Sequence, residues 1–299
     1  RRQRQMCIRD RVNVQPLEAM FNSSFIVRAF HVVATAGMTM AFILAAIAAF
    51  KLLRNKHSED KTYHKKALKM TMIVGFLSTI LSMVAGDLSA KFLHKVQPEK
   101  LAAYEWHYDT QSHANLVFFG VLNEKTHEVT GAIEIPGLLS FLADDSFKTK
   151  VKGLTDFPKN DLPPMIVHYF FDLMVSMGVF CFIISGLYML ILFFKKLRKF
   201  KVNKAMLYAI LLTGPASLLA IEFGWFLTEM GRQPWIIRGY MRVSQAATQA
   251  GGITLVTILF GILYLVLMVT AAYVLIRMYR NKPAYQDVDK VIEERGGTK

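Results

Sequence analysis

The sequence has little cysteine and little charge. Two of its 299 residues are cysteines, Cys7 near the start and Cys181 inside an apolar stretch. Two thiols so far apart argue against a disulfide framework and against a thiolate metal site. Charged residues make up 19% of the chain and hydrophobic residues 53%, and the mean hydropathy is +0.31. This composition is more apolar than that of soluble globular domains and predicts a membrane protein.

Acidic residues are outnumbered by basic ones, 22 against 36, and the formal net charge is +14. A basic excess can indicate a nucleic-acid partner, but here the basic residues form short runs beside long apolar stretches. We therefore expect contact with membrane lipid and no nucleic-acid partner. Residues 1–24 include a basic run without the apolar core of a signal peptide, and we assign no function to this N-terminal arm.

Long apolar runs are the dominant feature of the chain. A helix needs about 20 residues to span a bilayer core, and five runs reach that length. They are Phe25 to Phe50, Ala67 to Ala90, Met165 to Phe194, Met206 to Met230, and Ile253 to Ile276. The sequence therefore predicts an all-α integral membrane protein, a bundle of five transmembrane helices.

The basic runs predict how the spans are oriented. They lie between the first and second spans, between the third and fourth, and after the fifth, so these segments and the C-terminus should be cytoplasmic. The expected divisions are helix pairs at 25–90 and 165–230, outer segments at 91–164 and 231–252, a last helix at 253–277, and a tail at 278–299. We expect the long outer segment to be a partly ordered lid with short helices.

Polar side chains inside the spans are candidates for function, because placing them in the bilayer costs free energy. His31 in the first span and Met174 in the third have similar depths in the outer leaflet. A histidine and a methionine on different helices can be the axial ligands of a low-spin haem. Each also has an ordinary explanation, because a histidine can be satisfied between packed helices and most methionines are packing residues.

The fourth span carries Glu222, Trp225 and Glu229 on one helical face. Two carboxylates facing a bundle interior could ligate a metal centre or pass protons toward one. Arg232 follows Glu229 by three residues, where it can pair with that carboxylate or with a haem propionate. An ordinary capped helix end with an interfacial tryptophan is the alternative for this stretch.

In the long outer segment, Pro98 suits the start of a short helix that brings Lys100 and Glu105 near one another. A cation and a carboxylate can bind a polar headgroup and take up its protons. Two solvated charges on a loop helix are the alternative.

Together these segments resemble the large subunit, subunit I, of the cytochrome bd-type quinol oxidases. The most specific similarity is Gly224-Trp225-Phe226 followed by the run from Glu229 to Trp235, which is similar to the family signature GW-x-x-x-E-x-GRQPW. The second is the run from Gln97 to Glu105, which is similar to the quinol-loop motif QP-x-KLAA-x-E. The resemblance extends from about Val12 to Lys282.

The resemblance implies a role for each of these residues. His31 and Met174 would ligate the iron of low-spin haem b, and Glu229 that of high-spin haem b. Glu222 would belong to the haem pocket or to a proton path, Trp225 would lie between haems, and Arg232 near propionates. Lys100 and Glu105 would bind and deprotonate quinol at the outer face, so that electrons pass through haem b to a di-haem centre that reduces dioxygen to water and generates proton motive force.

The resemblance also implies a setting. The subunit would lie in a bacterial or archaeal cytoplasmic membrane beside oxidase subunit II, with a small single-helix subunit as a further candidate partner, and would use ubiquinol or menaquinol. Members of the family have nine spans, so this chain would correspond to the C-terminal part, and the ligand of haem d would belong to the four spans that precede it. Many members have Arg two positions before the methionine ligand, where this chain has Asp172.

Two other functions are compatible with intramembrane acids. An ion-coupled secondary transporter would show broken helices and inverted repeats, and no repeat is visible in the sequence. A truncated haem-binding subunit without turnover is the third hypothesis.

Overall fold

The computed structural model describes residue 17 and residues 20–54, 58–194, 202–247 and 251–281. Most of the N-terminal arm, the basic run after the third span and the tail beyond Asn281 therefore lie outside the described residues. Five helices have the length and hydropathy of membrane spans, as the sequence predicted. They are α1 (Phe25–Arg54), α2 (Ser58–Val96), α5 (Val167–Phe193), α6 (Lys204–Met230) and α8 (Ile253–Asn281).

Four of these helices form a bundle. Helix α1 packs against α2 and α6, and α5 packs against α6 and α2, so α1 and α5 occupy opposite corners. The centre of the bundle is built on the fully buried side chains of Phe42, Met72 and Ile210. Small residues let α1 and α6 approach closely, since a Cβ on Gly214 would lie 2.8 Å from the Cβ of Ala46.

Helix α8 stands apart from this bundle. All its side chains from Ile253 to Met278 are exposed, and they are almost entirely apolar. In a bilayer, lipid or another polypeptide covers such a helix.

The long outer segment is more ordered than a simple connection. It contains helices α3 (Pro98–Tyr104) and α4 (Leu138–Asp144), as expected, and four short strands that the sequence did not predict. These are β1 (Leu116–Phe118), β2 (Val121–Asn123), β3 (Glu128–Thr130) and β4 (Ile133–Ile135). Antiparallel pairing of β2 with β3 and of β1 with β4 makes one long hairpin. Short 3-10 turns at Leu154–Asp156 and Lys159–Asp161 lead back to α5.

Helix α2 carries this segment. It continues to Val96, beyond the expected end of the span at Ala90, and only Gln97 separates it from α3. Lys91 lies 2.6 Å from Asp145 and Lys95 lies 3.0 Å from Asp144, which ties the end of α4 to the extension of α2. After α6, a small ribbon of β5 (Trp235–Ile237) and β6 (Met241–Arg242) precedes the single turn α7 (Val243–Ala246).

Candidate functional site at the outer end of the bundle

Helix α3 lies on the outer end of the bundle. Pro98 occupies its first turn, and Leu101, Ala102 and Ala103 are buried on its inner side. The Tyr104 hydroxyl lies against the end of α6, 3.5 Å from the carbonyl of Leu227. The short helix is therefore part of the protein core and not a solvated loop helix.

Lys100 and Glu105 face different surroundings, because five residues correspond to about 140° around a helix. Lys100 is half-buried, and burial together with the charge of the Arg28 guanidinium lowers the pKa of Lys100 to about 8. Arg232 and Arg238 add to this effect and Glu99 opposes it. Lys100 thus lies within a group of cations drawn from α1, α3 and the segment after α6.

Glu105 directly follows α3 and is buried, with 3% of its surface exposed. Burial, and then the nearby carboxylate of Asp172, raises the pKa of Glu105 to about 8. Its Oε2 atom is buried without a hydrogen-bond partner. Among the described residues no ion pair joins Lys100 to Glu105, although we expected the two side chains to lie near one another, and the roles predicted for them stay predictions.

The haem-ligand candidates lie on the helices at opposite corners of the bundle. His31 of α1 is half-buried, and its Nδ1 atom is buried without a hydrogen-bond partner. The sulfur of Met174 on α5 lies against Gly224 of α6, where an added Cβ would come within 3.1 Å of it. An imidazole with an unused buried nitrogen and a thioether across the bundle fit the donor set of a low-spin haem.

The face of α6 that carries Glu222, Trp225 and Glu229 differs from our expectation. We expected it to point into a bundle interior, but among the described residues all three side chains are exposed, Trp225 by 56%. The interior positions of α6 are occupied instead by small and apolar side chains: Thr213, Ser217, Ala220 and Leu227. Arg232 does pair with Glu229, at 2.9 Å, as its spacing suggested.

Gly231, at the end of α6, leaves room for the loop helix. A Cβ at this position would overlap the hydroxyl of Tyr104. We expect Gly231→Ala to displace α3 and to destabilise the protein by about 1–3 kcal/mol, the usual cost of overpacking a core. Thermal unfolding in detergent measures this cost. Gly178→Ala is the matched control, because a Cβ there meets no atom within 4 Å; equal melting points for the two variants would contradict the prediction.

Sequence reasoning missed two residues of this region. His168 and Trp106 are both buried, and their rings stack with centroids 3.9 Å apart. The four-residue spacing between His168 and Asp172 was the available signal, since it places both on one face of a helix. His168 lies at the very start of its span. A histidine at that position has the ordinary explanation of an interfacial residue, so the sequence alone did not single it out.

The fold defines a multi-span membrane protein with a structured segment over one end of a helix bundle. Comparison with known proteins gives its family. Residues 4–283 match the family described as cytochrome bd terminal oxidase subunit I, and the chain belongs to that family.

Relatives and a solved structure agree with this assignment. The chain is 38% identical over 278 residues to the putative cytochrome bd menaquinol oxidase subunit I of Bacillus subtilis, covering 93% of this chain and 62% of that protein. It is 30% identical to the cytochrome bd ubiquinol oxidase subunit 1 of the same organism, covering 83% of this chain and 54% of the relative. The bd oxidase of Geobacillus thermodenitrificans superposes with a TM-score of 0.82 at 44% identity, over 91% of this chain and 62% of that one. The chain thus spans less than two thirds of each of these proteins.

Proposed function

We propose that this chain oxidises quinol at the outer membrane face and passes the electrons to a low-spin haem b inside the bundle. The observation that supports this most directly is Glu105, a buried carboxyl with one oxygen free of partners and a pKa near 8. A carboxyl whose pKa lies near the working pH can accept a proton from a hydroxyl group and release it again.

Each site residue has a part in this proposal. Lys100 would bind one quinol oxygen, and Glu105 would take a proton as quinol is oxidised. His31 and Met174 would hold the low-spin haem b, which supplies one-electron redox chemistry when bound. Glu229 would ligate high-spin haem b, with Arg232 holding its carboxylate in place, while Glu222 and Trp225 would line the side of α6 that faces the di-haem centre.

The exposure of that α6 face supports its proposed role. Carboxylates exposed on a transmembrane helix require a polar partner, a cofactor or a cavity. Reduction of dioxygen at a centre containing haem d, and the proton motive force that follows, are proposed for a family member of the relatives' full length, and this chain spans 62% and 54% of those relatives. Oxidase subunit II, and a small single-helix subunit, are proposed partners for the apolar surface of α8. The basic runs support a cytoplasmic-membrane location with a cytoplasmic C-terminus.

The proposed quinol oxidation is tested by measuring only the reduction of the low-spin haem. In membranes that contain the chain, ubiquinol or menaquinol should produce the b-type α-band under anaerobic conditions, at a rate that saturates with quinol. If dithionite reduces the haem but quinol does not, the result would support the non-catalytic haem-binding alternative and overturn the proposal. The transporter alternative has no support here, because the five spans are unbroken within the described residues, α6 continuing through Pro215.

Lys100→Met should weaken quinol binding. A hydrogen bond to a charged group contributes about 1.5–3 kcal/mol, so the quinol concentration for half-maximal haem reduction should rise at least about tenfold. The saturating rate should change less than this concentration does. Lys125→Met, on the exposed turn between β2 and β3, is the control; an equal effect in both variants would remove Lys100 from the site.

A further inference from the structure

His168 and Asp172 form a second polar cluster beside the proposed quinol site. They lie four residues apart in the first turns of α5, and both are fully buried. The Nε2 atom of His168 lies 3.2 Å from Oδ2 of Asp172, as an ion-pair contact without hydrogen-bond geometry. The proposed function assigns no task to either residue.

The imidazole of His168 holds the chain on both sides of Glu105. Its Nδ1 atom lies 2.6 Å from the carbonyl oxygen of Tyr104 and carries the hydrogen of this bond, because a carbonyl only accepts. Its ring stacks on the indole of Trp106, and the indole N–H donates to the carbonyl of Met165 at 2.8 Å. The residues before and after Glu105 are therefore both attached to the start of α5.

Asp172 holds the hairpin of the outer segment. Its Oδ2 atom accepts a hydrogen bond from the backbone N–H of Phe119 at 2.6 Å. Phe119 and Gly120 form a bend between β1 and β2 with positive φ angles of 57° and 105°, and the Tyr169 hydroxyl donates to the carbonyl of Gly120 at 3.0 Å. Oδ2 of Asp172 thus contacts both the bend between β1 and β2 and the imidazole that holds α3, and the second contact is an ion pair when the imidazole is protonated.

We propose that His168 and Asp172 are positioning residues, which fix Glu105 and the bend between β1 and β2 on the same helix that carries Met174. This inference rests on the proposed function. Glu105, the proposed base, then moves as one unit with α5, which carries the proposed haem ligand Met174. A bound quinol therefore keeps its position relative to both the base and the haem. Buried hydrogen bonds to a charged group are strong enough to hold such a loop in one conformation.

Asp172 could act differently, through its negative charge. That charge would change the midpoint potential of the haem proposed to bind Met174, two residues away. Asp172→Asn and Asp172→Leu separate the two roles. Asparagine retains an oxygen for the Phe119 N–H and places its amide where Oδ1 has no partner, whereas leucine fills the space without an acceptor. Both substitutions remove the charge.

The experiment measures hydrogen exchange of the peptide from Leu116 to Ile135 and quinol-dependent reduction of the low-spin haem, in membranes containing the chain. Asp172→Leu should raise both the exchange rate and the half-saturating quinol concentration about tenfold, whereas Asp172→Asn should stay within about twofold of the parent. His168→Phe, which keeps the stack on Trp106 but loses the N–H donor, should raise the half-saturating concentration with the α-band intact.

Ser176→Ala is the control, because its hydroxyl bonds only to the carbonyl of Asp172 within α5. Equal shifts of the haem midpoint potential in the Asn and Leu variants, with unchanged exchange of the hairpin, would overturn the positioning role. If quinol reduces no haem in the parent, the proposed function fails, while hydrogen exchange still reports whether Asp172 anchors the hairpin.

Discussion

Replacing His31 or Met174 with alanine should abolish the low-spin b-type α-band in the reduced-minus-oxidised spectrum. Each substitution removes one of the two axial donors, and a low-spin haem needs both. The unpartnered Nδ1 of His31 indicates an imidazole that its protein neighbours do not satisfy. Because the two residues lie on helices at opposite corners of the bundle, loss of either should also weaken retention of the cofactor, measured as haem per polypeptide.

The controls for this prediction are close matches. His94 lies near the outer end of α2 and also has a buried Nδ1 without a partner, and Met177 follows Met174 by one turn of α5. Alanine at either position should leave the band in place. Glu229→Ala should also spare it, because that residue is assigned to a different haem. A band that survives both His31→Ala and Met174→Ala would refute the ligand assignment.

Glu105→Gln should slow quinol-dependent haem reduction by about 10²- to 10⁴-fold, the usual contribution of a general base. Glutamine has nearly the same shape, so the α-band produced by dithionite should not change. Glu128→Gln, on the exposed strand β3 of the same segment, is the control. A residual rate within a few-fold of the parent would show that another group takes the proton.

The pH dependence of the parent gives a second test of Glu105. A base acts in its deprotonated form, and burial raises the pKa of Glu105 to about 8. The rate at low quinol concentration should therefore rise with pH up to about 8 and fall above it, because Lys100, whose pKa is lowered to about 8, then loses the charge that binds quinol. The Glu105→Gln variant should lack this rise, since glutamine does not titrate. A rise that persists in the variant would assign the titration to a different group.

The spans were predictable because runs of about 20 apolar residues leave few alternatives to a transmembrane helix. The strands of the outer segment were not, since three-residue strands are too short to show an alternating pattern. The bend at Phe119 and Gly120, between β1 and β2, is hydrogen-bonded to Asp172 and Tyr169 of α5, which are distant in sequence.

The sequence indicated candidate residues for the site, whose roles stay predictions, but it did not indicate their surroundings. The motif that contains Lys100 and Glu105 indicated both side chains, yet their directions follow from how α3 packs on α6 and α5. The direction of the Glu222 and Glu229 face depends on which elements surround α6, and a helical pattern alone does not contain that information. The sequence did not indicate His168, because its proposed role depends on a hydrogen bond to the carbonyl of Tyr104, which is distant in sequence.

The extension of α2 has a mechanical consequence. A helix of 39 residues is about 58 Å long, whereas a hydrocarbon core is about 30 Å thick. The outer segment is fastened to the projecting end of this helix and to the outer ends of α5 and α6, so the tilt of these helices sets the height of α3 above the lipid. Bilayers of shorter or longer acyl chains change helix tilt. Membrane thickness would thus change the distance that a quinol headgroup must move out of the lipid to reach Glu105.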